Sequence, residues 1–238
     1  MFDRISPKYD ALNHLLSFNI DKVWRRKTAK AVAKTQPKTV LDLATGTADL
    51  AMAVARRNPQ AHIIGMDISE KMLDIGKAKV AQRKMESQIE LRLGDAAALP
   101  FEESSFDAIT VAFGVRNFED LDKGLSEISR VLKPGGQAVI LEFSMPERFP
   151  VRQLYRFYFR RVLPRIGKMV SKDAGAYTYL PESVERFPKP EAFSYSLTSF
   201  GLGKCQTKRL TMGVATLYIS ERNSCIPFFS TFVSNYHK

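Results

Sequence analysis

TVLDLATGTADL, residues 39–50, is the stretch that decides the fold of this chain. Its apolar residues Val40, Leu41 and Leu43 are typical of a buried strand. Gly46 then predicts a tight turn, because glycine adopts positive φ and lets a ligand approach the backbone closely. A buried strand, a glycine turn and a following helix form the first half of a nucleotide-binding βαβ unit.

An acidic residue, Asp67, ends the next apolar run, 20 residues after Thr47. A carboxylate at this place in a βαβ unit accepts hydrogen bonds from ribose hydroxyls. The turn nevertheless lacks the G-x-G-x-x-G pattern that seats a pyrophosphate against a helix N-terminus. A nucleoside without a pyrophosphate fits better than NAD, so the sequence predicts S-adenosylmethionine (SAM) as the cofactor.

Strands and helices alternate from residue 39 to residue 143, which predicts an α/β fold with a parallel sheet and right-handed crossovers. The next two predicted strands form an antiparallel hairpin. Such a hairpin distinguishes the core of SAM-dependent methyltransferases from a plain doubly wound sheet. We therefore expect a Rossmann-like fold with a mostly parallel seven-stranded sheet and a terminal antiparallel hairpin, an arrangement that resembles the class I methyltransferase fold. The predicted strands are about 39–44, 61–66, 89–93, 106–113, 137–143, 204–210 and 214–221. The predicted helices run from Gly46 to about 57, over 70–85 with Ser69 as N-cap, and over 121–132.

The chain divides by pattern into three parts. The pattern of residues 1–36 predicts an N-terminal helical lid. The pattern of residues 37–222 predicts a SAM-dependent methyltransferase domain. A helical insertion on the substrate side is expected at about 147–200. Residues 223–238 form a C-terminal tail to which the sequence assigns no role.

Composition excludes several classes of protein. The 238 residues are 45% hydrophobic and 26% charged, as in ordinary folded proteins. No signal peptide pattern and no apolar run near eighteen residues is present. Two cysteines, Cys205 and Cys225, have no metal or disulfide spacing, which favours a reducing cytosol. The net charge of +11 is compatible with nucleic acid, an anionic lipid surface or an anionic substrate.

Acidic and small residues at the ends of the predicted strands are the candidate cofactor contacts. Asp42 can orient the turn or meet the cationic part of a ligand, and Asp67 is expected to bind the ribose. Asp95 and the Ala96 N–H can serve the adenine. The full predicted set is Asp42, Gly46, Thr47, Asp67, Ile68, Asp95, Ala96 and Ala112.

Polar residues after the fourth strand are expected to face the substrate. Arg116 can hold a phenolate or enolate oxygen through charge-assisted hydrogen bonds, or it can pair with Glu119 or Asp120. His14 is an alternative base if the N-terminal segment folds over the site. No Ser-His-Asp or zinc arrangement is present in the sequence, so no metal is expected.

The sequence blocks together resemble the menaquinone/ubiquinone biosynthesis C-methyltransferase family, from Met1 to about Arg222. VLDLATGTADLA, GMDISEKML and GDAAALPF are similar to its cofactor-side blocks. AFGVRN (112–117) and YLPES (179–183) are the most specific of the similar blocks. The turn departs from the glycine-richer form of relatives, with Ala48 in place of a second glycine.

This resemblance implies methyl transfer from SAM to a ring carbon of a demethylated prenyl-naphthoquinol, giving menaquinol. It implies Thr47, Asp67, Asp95 with Ala96, and the backbone of Ala112 as SAM contacts. The implied catalytic residues are Arg116, which stabilises the oxyanion, and Tyr9 and Asn117, with Tyr9 or a bound water assisting proton removal.

The implied partners are a lipid-soluble prenyl-quinol and the anionic inner face of a membrane, contacted by the aromatic and arginine residues of 149–168. We expect a cytoplasmic, peripheral protein that binds no nucleic acid, and a homodimer is one open alternative. The corresponding prenyl-benzoquinol of ubiquinone biosynthesis is the alternative acceptor. An RNA or other small-molecule methyltransferase, an NAD(P)-dependent dehydrogenase and a non-enzymatic SAM-binding protein also stay open.

Overall fold

The computed structural model describes residues 19–158, 161 and 182–224 of this chain. A seven-stranded sheet with the order β3-β2-β1-β4-β5-β7-β6 forms its centre. The strands β1 to β5 pair in parallel, and β7 is antiparallel to both β5 and β6. The predicted fold class is therefore confirmed. The strands are β1 Thr39–Leu43, β2 His62–Asp67, β3 Ile89–Leu93, β4 Phe106–Ala112, β5 Leu132–Phe143, β6 Leu202–Leu210 and β7 Ala215–Arg222.

Helices cover both faces of this sheet. The helix after the glycine turn is shorter than predicted, and the next one ends three residues before the predicted Met85. Ser69 is the N-cap as predicted, because its Oγ accepts a hydrogen bond from the Met72 N–H at 3.3 Å. The helices are α1 Ile20–Val32, α2 Asp49–Ala55, α3 Glu70–Gln82, α4 Leu121–Val131, α5 Val151–Phe157, α6 (residues 182–186) and α7 Pro190–Ser199.

Strand β5 begins earlier than predicted, at Leu132 instead of Gln137. Its pairing with β4 shifts register between Phe106 and Ala108, so residues 133–136 bulge out of the ladder. Gly135 has φ +75° in this bulge, a conformation that glycine adopts without cost. The predicted turn is thus present, but it interrupts a strand instead of preceding one.

Helix α1 belongs to the hydrophobic core. Its residues Trp24, Ala29 and Val32 are almost fully buried in the same cluster as α2 and one face of the sheet. The Trp24 indole also donates a hydrogen bond to Thr211 Oγ1 at 2.8 Å, which ties α1 to the turn before β7. The division into a lid (1–36), a domain (37–222) and a tail (223–238) stays a prediction, since residues 1–18, 159–160, 162–181 and 225–238 lie outside the described part.

In the ranges described by the structure, every helix is too short or too polar to cross a membrane.

Candidate functional site

A cavity of about 230 Å³ opens at the carboxyl ends of β1, β2 and β4. In parallel α/β sheets this edge is where ligands bind, because the loops that follow the strands converge there. The cavity brings together seven predicted site residues: Gly46, Asp67, Ile68, Asp95, Ala96, Ala112 and Asn117. Phe113 and Gly114, which follow Ala112 in sequence, also line it. Its wall further contains residues that were not assigned to the site from sequence, among them Ala44, Phe118 and Glu119.

The Asp67 carboxylate fastens the glycine turn to the end of β2. Its Oδ2 accepts a hydrogen bond from the Gly46 N–H at 2.8 Å, and its Oδ1 accepts one from the Ser69 N–H at 2.9 Å. Asp67 therefore shapes the turn as well as lining the cavity. The contact with the turn was not predicted from the sequence, which predicted only that Asp67 binds the ribose.

The turn after β1 holds an unusual backbone. Ala44, Gly46 and Ala48 have φ values of 50°, 55° and 65°, and Phe113 after β4 has 59°. A left-handed conformation costs a residue with a side chain about 1–2 kcal/mol. Ala48 thus takes a conformation suited to the glycine that it replaces. Together with Phe113, it gives strained backbone after two neighbouring strands, β1 and β4.

Asp42 is almost fully buried beneath the turn and lines a second, smaller cavity of about 30 Å³ instead of the main one. The carboxylate accepts hydrogen bonds from Thr45 Oγ1 at 2.6 Å and Thr110 Oγ1 at 2.5 Å. Burial raises its pKa to about 6, against the opposing effect of these two hydroxyls and the Arg25 charge.

Substitution Asp42→Asn is expected to stabilise the protein above pH 6. A folded-state pKa above the unfolded value of 3.8 means that the native chain binds the proton more tightly, so stability falls as pH rises from about 4 to 6. A shift of this size corresponds to about 3 kcal/mol as an upper limit, and we expect Asn to recover about 1–3 kcal/mol. Urea unfolding at pH 7.5 and pH 4 measures this, and an equal gain at both pH values would contradict it.

Thr47 also faces the smaller cavity. Its Oγ1 accepts a hydrogen bond from Lys79 Nζ at 2.9 Å, and Lys79 forms an ion pair with Asp49. Asp49 lies in the first turn of α2, where a carboxylate interacts favourably with the helix dipole. The Thr47 side chain therefore joins α2 to α3, and its contact with SAM stays a prediction.

Asp95 and Asn117 are both held by the loops to which they belong. The exposed Asp95 accepts a hydrogen bond from the Ala97 N–H at 2.9 Å, while Asn117 Nδ2 donates to the Phe113 carbonyl at 3.3 Å. Both contacts fix the residues at the rim of the main cavity. This placement is compatible with the predicted adenine and substrate roles.

Arg116 forms a buried ion pair with Glu142, a residue that the sequence analysis did not single out. Arg116 Nη1 lies 2.6 Å from Glu142 Oε1, and the two side chains are 6% and 0% exposed. The same Nη1 donates to the Phe113 carbonyl at 2.5 Å, and Nε donates to Ser183 Oγ at 3.3 Å. The alternative partners named from sequence were wrong: Arg116 pairs with neither Glu119 nor Asp120.

Asp120 instead caps helix α4 through the Lys123 N–H, and Glu119 lines the main cavity. Glu142 was detectable in principle, since it interrupts the apolar strand QAVILEF as Asp42 interrupts VLDL. A buried carboxylate in an apolar strand needs a partner.

A further cavity of about 200 Å³ lies beside Arg116, between the turn after β4 and helix α6. Phe118 lines both this cavity and the main one. The remaining wall combines apolar residues with Arg116, Ser183 and Arg186. A flat apolar molecule carrying an oxygen is compatible with this lining.

Two predicted residues, Tyr9 and His14, lie outside the described residues, and their roles stay predictions.

The sheet order, the terminal hairpin and the cavity at the strand ends define the fold of class I SAM-dependent methyltransferases. Solved structures with this fold include a SAM-dependent methyltransferase from Aquifex aeolicus (TM-score 0.55, 17% identity, covering 78% of this chain and 82% of the other). The cyclase SpnF has a TM-score of 0.69 at 16% identity, covering 94% of both chains. The chain belongs to the ubiE/COQ5 methyltransferase family, whose model matches residues 1–222.

Curated relatives agree with this assignment. A demethylmenaquinone methyltransferase from Bacteroides fragilis is 46% identical over 222 residues, which cover 93% of this chain and 91% of the relative. The protein of the same name from Thermus thermophilus is 46% identical, covering 93% and 100%. A Geobacter sulfurreducens protein named ubiquinone/menaquinone biosynthesis C-methyltransferase UbiE is 46% identical, covering 93% and 87%. The predicted family resemblance is confirmed.

Proposed function

We propose that this chain transfers a methyl group from SAM to a ring carbon of a demethylmenaquinol, giving menaquinol. The observation that carries the proposal is the membership of the family together with a cavity that joins Asp67 and Asp95 to the Asn117–Glu119 segment. The relatives from Bacteroides fragilis and Thermus thermophilus are named for the menaquinone reaction, which favours the naphthoquinol acceptor.

The residues present fit SAM. A carboxylate at the end of β2 suits two ribose hydroxyls, and the loop of Asp95 and Ala96 offers an acceptor and an N–H to an adenine. Ala112 and Gly114 line the cavity where the sulfonium end is expected. Gly114 also lets the turn after β4 pack closely on the turn after β1, since a Cβ there would lie 2.4 Å from the Ala44 Cβ. When bound, SAM supplies an electrophilic methyl group.

On the acceptor side, the protein must hold an aromatic ring and stabilise an oxygen that loses its proton. Arg116 lines the cavity beyond Phe118, and its pairing with Glu142 fixes the guanidinium in place. A preorganised cation of this kind stabilises a developing phenolate without reorganising during the reaction. Asn117 stands at the rim of the main cavity, and Tyr9 or a water is proposed to take the proton.

Transfer of a labelled methyl group from SAM tests the proposal. The purified chain is offered a demethylated prenyl-naphthoquinol, the matching prenyl-benzoquinol and total RNA in parallel. We expect label in the naphthoquinol. Label in the benzoquinol alone would shift the assignment to ubiquinone biosynthesis, a reaction that the name of the Geobacter relative also includes. Label only in RNA would overturn the quinol proposal, and calorimetry with SAM and NADH separates the cofactor classes.

A lipid-soluble acceptor requires access to a membrane, and we place the enzyme in the cytoplasm with peripheral contact to the inner membrane face. Helix α5 supports this: Leu154 and Phe157 are 66% and 62% exposed, and the preceding Phe149 is 80% exposed. Exposed arginines on the same helix, Arg152 and Arg156, can meet anionic headgroups. A homodimer stays an alternative to a monomer, which light scattering resolves.

The variant Leu154→Ser/Phe157→Ser is expected to bind vesicles containing anionic lipid at least about tenfold more weakly. Each apolar side chain contributes about 1.5–3 kcal/mol when fully buried, and a tenfold loss requires only about 1.4 kcal/mol from the two together. Co-sedimentation measures the binding. Tyr195→Ser is the matched control, since Tyr195 is 77% exposed on helix α7. Equal binding of all three proteins, or no dependence on anionic lipid, would argue against docking through α5.

A further inference from the structure

The turn between β6 and β7, residues 211–213, has a strained backbone. Thr211, Met212 and Gly213 have φ values of 46°, 55° and 94°, so three consecutive residues take the left-handed conformation. Only the third is glycine, which adopts this conformation without cost. Met212 is nevertheless 73% exposed, so the strain presents an apolar side chain to solvent instead of burying it. Strain of this kind, kept at a surface, indicates a function for the turn.

This β6–β7 turn lies at the carboxyl edge of the parallel sheet, beside helix α1. Strand β7 is antiparallel to β5, so the turn that precedes β7 lies at the edge where β5 ends. Thr211 Oγ1 accepts a hydrogen bond from the Trp24 indole at 2.8 Å, which places α1 next to the turn. Val23, the neighbour of Trp24 in sequence, is 44% exposed. Two exposed apolar side chains, Met212 and Val23, thus belong to adjoining elements at this edge.

The β6–β7 turn is also contiguous with the region of helix α5. Val214, which follows the turn, packs against the cluster formed by Tyr155 of α5 and Val184 of α6. Gly213 lies close to the segment before α5, since a Cβ on it would be 3.5 Å from the Pro146 Cα. The turn therefore continues the surface that carries the exposed apolar residues of α5.

Helix α1 presents only positive charge to solvent. Its one acidic residue, Asp21, is buried and forms an ion pair with Arg25. Three of the exposed cations follow each other at intervals of four residues, and like charges at that spacing repel. An anionic surface opposite the helix relieves this repulsion. The exposed residues of α1 are Lys22, Val23, Arg26, Lys27 and Lys30.

We propose that the β6–β7 turn and the outer face of α1 dock on an anionic lipid bilayer. Met212 and Val23 enter the interface, and the α1 cations meet the headgroups. The inference rests on the proposed function, because it adds a second contact to the membrane contact of α5. A bilayer fits this surface better than a nucleic acid, since a phosphate backbone offers partners to the cations but no apolar phase to a methionine. Two contacts hold the carboxyl edge, where the main cavity opens, against the membrane.

Co-sedimentation of Met212→Asn with vesicles of phosphatidylcholine and phosphatidylglycerol tests the apolar contact. Asparagine tolerates the left-handed conformation, so the substitution keeps the turn and removes the thioether. We expect binding to fall at least about fivefold, and the loss to persist in high salt because an apolar contact is not screened. The matched control is Tyr195→Asn, since Tyr195 is 77% exposed on α7, which packs on the opposite face of the sheet.

The double variant Arg26→Gln/Lys30→Gln tests the electrostatic contact. Binding to the same vesicles should fall about tenfold in low salt, and the loss should shrink to about twofold in high salt because screening removes it. The control Lys123→Gln/Lys204→Gln removes the same charge from exposed positions on α4 and β6. It should bind within about threefold of the unsubstituted chain, since these positions lie outside the proposed surface.

Methyl transfer to a detergent-dispersed demethylated prenyl-naphthoquinol separates this inference from the proposed function. All four variants should transfer the methyl group as the unsubstituted chain does, because detergent replaces the bilayer. Unchanged vesicle binding by Met212→Asn, an equal loss in the controls, or tighter binding of total RNA than of vesicles would overturn the inference. Failure of the unsubstituted chain to transfer the methyl group in detergent would overturn the proposed function instead.

Discussion

Replacing Glu142 by leucine is expected to lower the free energy of unfolding by about 3–5 kcal/mol, because it leaves the Arg116 guanidinium buried without its counter-charge. Among the described residues, Arg116 then keeps two neutral acceptors, the Phe113 carbonyl and the Ser183 hydroxyl. Neither compensates a charge whose side chain is 6% exposed. Urea denaturation of Glu142→Leu and the unsubstituted chain measures the difference.

A matched control distinguishes the loss of a buried ion pair from the loss of an exposed one. Glu182→Leu removes the partner of Arg186, but this pair is 73% and 59% exposed. Exposed pairs contribute about 0–1 kcal/mol, so the control should differ little from the unsubstituted chain. Comparable losses in the two variants would contradict the buried-pair explanation.

The double variant Arg116→Met/Glu142→Leu distinguishes a structural role of the pair from a catalytic one. Replacing both members of a buried ion pair by apolar residues of similar volume is often neutral, so most of the stability should return. Turnover should nevertheless stay at least 100-fold below that of the unsubstituted chain, because the proposed oxyanion partner is absent. Recovery of turnover together with stability would show that the Arg116 role in catalysis is wrong.

Replacing Asp67 by asparagine is expected to raise the Kd for SAM about 100-fold. Hydrogen bonds to a charged group contribute about 1.5–3 kcal/mol each, and the ribose contact proposed for this carboxylate is lost. The amide nitrogen also cannot accept, so one of the N–H groups of Gly46 and Ser69 loses its acceptor. Calorimetric titration with SAM gives the Kd of the variant.

Asp74→Asn on helix α3 is the control for this change, since its side chain is 66% exposed and pairs with Lys77. It should bind SAM within twofold of the unsubstituted chain. A thermal melt of Asp67→Asn without ligand shows how much of the effect comes from the turn. If this variant bound SAM within threefold of the unsubstituted chain, Asp67 would not be the ribose ligand.

Local patterns predicted the fold well because each strand and helix is encoded by residues close together in the chain. β3 was predicted with its observed bounds, and Ser69 was predicted as the cap of α3. Strand β5 was misplaced at its start because Gly135 and Gly136 signal a turn whether or not a neighbouring strand pairs across it. The pairing depends on β4, which the local sequence does not contain.

The residues of the candidate site also fall into two groups: those that the local sequence indicates and those that only tertiary contacts reveal. Asp67, Asp95 and Ala112 were predicted to lie together because they end or closely follow strands, and parallel strands place their ends at one edge of the sheet. All three line the main cavity, and their contacts with a cofactor stay predictions. Glu142 was missed, and Arg116 was assigned neighbours in sequence, because the true partner lies 26 residues away. Arg25, which lines the smaller cavity, was not singled out because nothing in a basic helix marks which of its cations faces inward.

The sequence by itself determined the order of strands and helices, the glycine turn and the carboxylate at the end of the second strand. These follow from side-chain periodicity and backbone freedom, which act over a few residues. Only the tertiary structure decided which charges meet. The Arg116–Glu142 pair, and the cavity shared by Arg25 and Asp42, arise from packing of separate elements, where burial makes each charge depend on the group placed opposite it.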